Sequence, residues 1–313
     1  MISLPERLQG GLWGLLIGDA LGVPYEFHPP QNLPAIADLE FVPPAGFSRS
    51  YPQVLPGTWS DDGAQALCLL ASLLEQGRVA PEDLGQRLLR WYRQGYCAVG
   101  GEVFDIGNHT ARVLQAIQAG VPALAAGNLG HQARGNGSLM RSLPLVLWHQ
   151  GSDADLVAAA HLQSAVTHAD PYCQVCCALY CLWARRLLQG NPAAWEAAVA
   201  SLASLYEREA TNLEILETVI RPAEPALGQG TGYVIDCLQS ARLALAAGSY
   251  EQVVKAAIAL GNDTDTTACV AGGLAGIRDG VAAIPARWRD HLRGQEIVQP
   301  LLTKLLARYQ RNS

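Results

Sequence analysis

Residues 263–276 read DTDTTACVAGGLAG. Asp263 and Asp265 stand two positions apart among hydroxyls, and a run of small apolar residues follows. Such a run reads as a buried helix, and Gly272, Gly273 and Gly276 let it approach a neighbour closely. The chain therefore places two anions where it enters its core. A second stretch, GTWSDDGAQALCLLASLL at 57–74, does the same with adjacent Asp61 and Asp62 behind Ser60. One reading is capping, because Ser, Thr and Asp favour helix N-termini and the helix dipole favours anions there. Paired carboxylates exceed what a cap needs, however. Packed like charges raise each other's pKa unless a cation neutralises them.

Helix-spaced apolar residues recur near 6–21, 62–76, 81–95, 109–119, 153–167, 171–189, 193–208, 211–220, 231–247, 250–260, 265–279 and 296–311. Gly77, Gly120, Gly190, Gly248 and Gly280 fit the position just past a helix end. Alternating Val, Ile and Thr runs are scarce. The expected fold class is all-α, with about a dozen helices in one domain spanning 1–313, since neither a repeat nor a linker stands out. Residues 28–57 are the exception: seven prolines make them a long connecting loop.

Composition narrows the function classes. The chain is 50% hydrophobic and 16% charged, the balance of a well-buried globular protein. Its net charge of −6 offers no basic stripe for general nucleic-acid binding, so a bound polyanion would need backbone dipoles or metal ions. Four of the eight cysteines fall in CQVCCALYC at 173–181. A Cys-x-x-Cys spacing can hold zinc, but no second pair or histidine follows at finger spacing. Buried thiols in a reducing cytosol are the favoured reading. With no signal-peptide pattern and no long apolar run, the expectation is a cytoplasmic protein without a membrane span.

If the two acidic stretches meet in the fold, four carboxylates and several hydroxyls converge. An all-oxygen cluster suits Mg²⁺, Mn²⁺ or Ca²⁺, and four carboxylates can hold two such ions about 3.5–4 Å apart. Three further stretches are costly for a plain helical bundle. GDALGVPYEF at 18–27 carries Asp19 and Glu26, and DIGNHT occupies 105–110. In RGNGSLMRSLPL at 134–145, Gly135 and Gly137 can leave N–H groups facing a phosphate, although a turn is the usual explanation for Gly-x-Gly. His168, in THA at 167–169, can face a ligand or simply satisfy a core position.

Taken in order, GLLIGDALGVPYE (14–26), GTWSDDGAQALCLLASL (57–73), DIGNHT (105–110), GNGSLMRSLPL (135–145), THAD (167–170) and GNDTDTTACVAGGLAG (261–276) resemble the ADP-ribosylglycohydrolase family. That is the group of the dinitrogenase-reductase-activating glycohydrolase and the ADP-ribosyl-acceptor hydrolases. The resemblance spans nearly the whole chain. It implies a compact orthogonal multi-helix bundle with two Mg²⁺ or Mn²⁺ ions at the base of a cleft. Carried over, the metal ligands are Ser60, Asp61, Asp62, Asp263, Asp265 and Thr266. Glu26 matches the family's mobile glutamate, and Asp105 is its candidate acid or base near the ribose. Gly135, Asn136, Gly137, Ser138 and Met140 would hold diphosphate and ribose, with His168 and Tyr233 along the adenosine.

Two departures stand out. SDDG at 60–63 replaces the family's usual T-D-D-T, so Gly63 lacks a hydroxyl and would loosen the surroundings of the ligands. His109 stands where the family often has Thr, an imidazole at the rim that would bear on acceptor specificity.

The function implied is metal-dependent release of ADP-ribose from a modified acceptor by cleavage at C1″, with arginine in a protein favoured. Serine, a nucleic-acid end or base, and a small guanidine compound are the other acceptors. An ADP-ribose binder without turnover and a hydrolase of another nucleotide compound are the alternatives.

Overall fold

The computed structural model describes residues 2–129 and 133–310. Fifteen α-helices run through these residues: α1 Leu4–Gly22, α2 Asp61–Gln76, α3 Pro81–Gln94, α4 Asn108–Gln118, α5 Ala123–Gly127, α6 Leu143–Trp148, α7 Asp153–Ala165, α8 Pro171–Leu188, α9 Ala194–Tyr206, α10 Ala210–Glu214, α11 Val234–Leu245, α12 Tyr250–Ile258, α13 Thr264–Asp279, α14 Ala286–His291 and α15 Gln295–Gln310. The only β-type pairing among them is one bridge between Gly135 and Tyr233. The protein is all-α, as the helix-spaced pattern predicts. Residue 311, the last of the segment expected to be helical at 296–311, lies outside the described residues.

α1 and α13 form the centre. Gly10, Gly14, Gly18 and Gly22 recur every four residues along one face of α1. A Cβ on Gly10 would lie 2.1 Å from the Gly276 carbonyl oxygen, and one on Gly18 2.1 Å from that of Ala268. The two backbones therefore touch, which only residues without a side chain allow. At the far end Gly22 abuts the Asp265 backbone, and Thr264 Oγ1 donates to the Gly22 carbonyl at 2.8 Å. This contact carries the chain leaving α1, and with it Glu26, to the start of α13.

One hydrophobic cluster surrounds the pair and takes in residues from α1 through α15, including Trp59, Trp91, Tyr180 and Trp288. The proline-rich stretch 28–57 is pinned to the surface. Lys255 Nζ donates to Ala37 O at 2.9 Å, and Tyr25 Oη both donates to Glu40 O at 2.7 Å and accepts from Glu40 N at 2.9 Å. All eight cysteines are buried and free. Cys173 Sγ donates to the Ala133 and Gly135 carbonyls, so the cysteine-rich face of α8 lies under the GNG loop. No helix among the described residues is long and apolar enough to cross a membrane.

Candidate active site

The two acidic stretches meet. α2 starts at Asp61 and α13 at Thr264, and both N-termini open onto one cleft of about 310 Å³. Glu26, Asp61, Asp62, Asp105, Asp263 and Thr266 line it, with Gly135, Asn136, Gly137, Met140 and His168 on another wall. Asp265 is fully buried at its edge. Carboxylate oxygens of Glu26, Asp105 and Asp265 lie within 4.8 Å of one another.

Capping does not account for these acids. Ser60 caps α2, its Oγ accepting from Asp62 N at 3.2 Å, and the Asp263 side chain caps nothing in α13. Asp61 instead accepts from Gln65 Nε2 at 2.8 Å, and Asp263 from Asn136 Nδ2 at 2.8 Å. Glu26 Oε2, Asp62 Oδ2 and both Asp265 oxygens are buried without a hydrogen-bond partner. Buried anionic oxygens without donors are costly unless a cation completes them, so the residues present fit a hard metal ion.

The titration behaviour has the same cause. Burial pushes Asp61, Asp62 and Asp265 well above the usual carboxylate range, and the neighbouring acids push them further. Glu26 is pushed up to about 10 by burial, then by the charges of Asp105 and Asp263. Asp105 rises to about 6 through burial, restrained by the hydrogen bond from Tyr51. Among the described residues lining the cleft there is no Lys or Arg to offset this charge.

The segment after α1 is stitched to the start of α13. Phe27 N donates to Asn262 O at 2.6 Å and Asn262 N to His28 O at 2.7 Å. These bonds fix Glu26 opposite Asp263 and Asp265. The GNG loop is tied in turn to the strand-like run before α11: Asn136 N donates to Gly232 O and Val234 N to Arg134 O. Met140 N donates to Asn136 O, so neither the Asn136 nor the Met140 amide is available to a phosphate. The N-terminus of α4, with Gly107 and Asn108 on the cleft, adds amides that can face one.

His168 is buried, with Nδ1 at 2.8 Å from Thr167 Oγ1 and its ring 2.8 Å from where a Gly137 Cβ would lie. Burial holds its imidazole well below the usual range, hence neutral. His109 donates from Nε2 to Thr167 O at 2.7 Å and meets His168 edge-on at 4.9 Å, which places it on His168's side of the cleft.

Three residues sit apart from the cleft wall. Ser138 Oγ turns into the core toward Ser164 Oγ, 2.8 Å away. Ser60 lies behind Asp61, where its hydroxyl serves the helix cap. Tyr233, bridged to Gly135 through its backbone, borders an adjacent cavity with Ile220, Arg221 and Gln239. The expected loosening at Gly63 is corrected: a Cβ there would lie 2.8 Å from Trp59 Cγ and 2.8 Å from Leu16 Cδ2, so those side chains fill the space.

Sequence reasoning did not assign three supporting residues. Asp19, fully buried in α1, accepts from Ser60 N at 2.9 Å and Gly63 N at 2.7 Å, and so anchors the start of α2. An acid inside an otherwise apolar helix was its signal. Arg141, fully buried, donates to Gln65 Oε1, Gln163 Oε1, Gln163 O and Gly137 O. Through Gln65 it links the GNG loop to Asp61. Tyr51 donates to Asp105 Oδ1 at 2.6 Å from a loop whose composition marks it only as irregular.

Comparison with known proteins places the chain beside one family. The ADP-ribosylglycohydrolase family model matches residues 2–313. An ADP-ribosylarginine hydrolase Tri1 from Serratia proteamaculans is 30% identical over 307 residues, covering 96% of this chain and 79% of that one. The ADP-ribosyl-[dinitrogen reductase] glycohydrolase of Rhodospirillum rubrum is 26% identical, covering 93% and 91%. A solved structure described as an ADP-ribosylglycohydrolase-related protein complex superposes with a TM-score of 0.75 at 32% identity, covering 97% of this chain and 98% of that one.

Proposed function

The chain belongs to the ADP-ribosylglycohydrolase family, and from that premise we propose that it releases ADP-ribose from arginine in a modified protein, cleaving the glycosidic bond at C1″ with the help of two divalent ions, Mg²⁺ or Mn²⁺. The observation that carries this reading is the convergence of Asp61, Asp62, Asp263 and Asp265, of which Asp61, Asp62 and Asp265 are buried and Asp62 Oδ2 and both Asp265 oxygens lack a partner. The arginine acceptor is supported by the Tri1 relative, whose printed name is that of an ADP-ribosylarginine hydrolase. The cleft also complements a cationic acceptor, being acidic and free of Lys and Arg among its described lining residues.

Asp61, Asp62, Asp263, Asp265 and Thr266 would hold the ions, with Ser60 beside them. When bound, such ions supply Lewis-acid charge and lower the pKa of water. The chain's own residues do the rest. Amides of Gly135 and Gly137 and of the α4 N-terminus face the diphosphate. His168, neutral, borders the adenosine. Glu26, buried beside Asp105 and Asp265, passes a proton to the leaving acceptor. Asp105, held by Tyr51, takes the proton of the attacking water. In balance, the bond from C1″ to the acceptor nitrogen breaks as that nitrogen takes a proton from Glu26, the water oxygen bonds to C1″ as its proton passes to Asp105, and transfer of that proton back to Glu26 restores both groups. We assign all of this to a single domain spanning 1–313.

The test is release of free ADP-ribose from an arginine-linked peptide, with Mg²⁺ or Mn²⁺ and with EDTA, beside a serine-linked peptide. Metal-dependent release from arginine supports the proposal. Release from serine alone overturns the acceptor, and tight ADP-ribose binding without release overturns turnover. Release of AMP instead of ADP-ribose overturns the bond assignment.

A further inference from the structure

Phe27 directly follows Glu26, yet the residue is 68% exposed, an unusual position for an aromatic side chain beside a buried acid. Its φ of +63° lies in the left-handed region, and so does the +50° of Tyr51. Non-glycine residues held there cost free energy and gather at functional sites. The hydrogen bond from Phe27 N to Asn262 O holds the first of these conformations. Ser50, next to Tyr51, holds the second: its N donates to Pro24 O at 3.0 Å and its Oγ to Glu26 O at 2.5 Å.

The result is a row of rings leading to the reacting acids. Phe27 and Tyr51 lie 6.0 Å apart at 57°, and Tyr51 and Phe104 5.0 Å apart at 54°. Tyr51 Oη touches Asp105, so Phe27 stands one ring away from that carboxylate. Phe104 is buried, and so the exposed end of the row is Phe27.

We propose that Phe27 and Tyr51 form the acceptor subsite, an aromatic platform that receives a cationic group of the guanidinium class beside Glu26 and Asp105; this deepens, and rests on, the glycosidic reading above. Ring faces attract a planar cation, and nearby carboxylates reinforce the attraction. A neutral hydroxyl acceptor gains neither. Tyr51 has a second part, as a positioning residue that orients Asp105.

The experiment compares wild type with Phe27→Ala, Phe27→Trp and Tyr51→Phe on an arginine-linked ADP-ribosyl peptide. Phe27→Ala should raise KM about fivefold and leave kcat and the Kd for ADP-ribose within about twofold. Phe27→Trp should keep the wild-type KM. Tyr51→Phe keeps the ring but loses the bond to Asp105, so kcat falls while KM holds. Agmatine binding to the protein saturated with ADP-ribose and Mg²⁺ gives a readout independent of turnover, and Phe27→Ala should weaken it by a similar factor. An unchanged KM in Phe27→Ala, an equal rise in its ADP-ribose Kd, or unchanged agmatine binding each overturns the platform. Wild type that cleaves neither linkage overturns the hydrolase reading, and the agmatine measurement still decides the platform.

Discussion

Asn136 Nδ2 lies 2.8 Å from Asp263 Oδ2 and donates to it, although 127 positions separate the two in the chain. One side chain thereby joins the loop proposed for the diphosphate to an acid proposed for the metal. Asn136→Ala removes the tie, and a hydrogen bond to a charged group is worth about 1.5–3 kcal/mol. ADP-ribose affinity should fall about tenfold, measured by titration calorimetry. Asn136→Asp should lose more, because it sets a second carboxylate against Asp263. Affinities within about twofold of wild type in both variants would refute the coupling.

Asp19 should matter to folding before it matters to catalysis. Asp19→Ala leaves the buried N–H groups of Ser60 and Gly63 without their acceptor. The expected loss is about 3 kcal/mol in urea unfolding, with Asp19→Asn losing less because one oxygen remains. Equal midpoints for wild type and Asp19→Ala would show that the α2 N-terminus is held by other means.

The α1–α13 contact predicts a sharp contrast between glycines. Gly18→Ala drives a methyl to 2.1 Å from the Ala268 carbonyl oxygen, whereas a Cβ on Gly107 meets nothing within 4 Å. Gly18→Ala should lose about 3 kcal/mol or fail to fold, and Gly107→Ala should change stability by less than about 0.5 kcal/mol. Similar melting temperatures in the two variants would contradict the close approach.

The acidic cluster makes the metal-free protein sensitive to pH in a defined direction. Glu26, Asp19 and Asp105 are pushed up to about 10, 7 and 6 from ordinary values of 4.5, 3.8 and 3.8. Between the ordinary and the raised values the folded chain keeps protons that the unfolded chain releases. Stability of the metal-free protein therefore falls as pH rises above about 4. A divalent ion that binds only the folded, deprotonated site offsets this loss. The gain in Tm on adding Mg²⁺ or Mn²⁺ should be larger at about pH 8 than at about pH 5.5. Asp61, Asp62 and Asp265 are raised in the same direction, so a gain that is flat, or larger in acid, would count against them as the ligands.

Much of the architecture was legible because long helices advertise themselves. α2, α8 and α13 each show many turns of apolar spacing, and the Gly77 and Gly280 stops stand where helices end. The apolar helix expected after Gly135 and Gly137 is α6, whereas α5 and α14, of five and six residues, did not register, since so few positions cannot display a 3.6-residue period. The segment 211–220 reads as one helix but divides into α10 and a π-helical turn, Ile215–Ile220, a change of hydrogen-bond register without a composition signal. At the site, the acidic pairs and the GNG loop were visible as motifs. Arg141 stood inside the GNG motif without an assigned role, and Tyr51 carried no motif, because each acts through a partner distant in sequence, Gln65 and Asp105.

By itself, the sequence determined the helical class, the motifs and the presence of more buried acid than capping requires. Those are properties of local pattern and residue chemistry. Tertiary packing decided that Ser60 caps while Asp61 and Asp62 face the cleft, that Tyr233 turns to a neighbouring cavity, and that Trp59 and Leu16 occupy the space beside Gly63. Which atoms share a site depends on how closely α1 and α13 approach and where their ends then fall. That distance is set by contacts across the whole chain, which no local window contains.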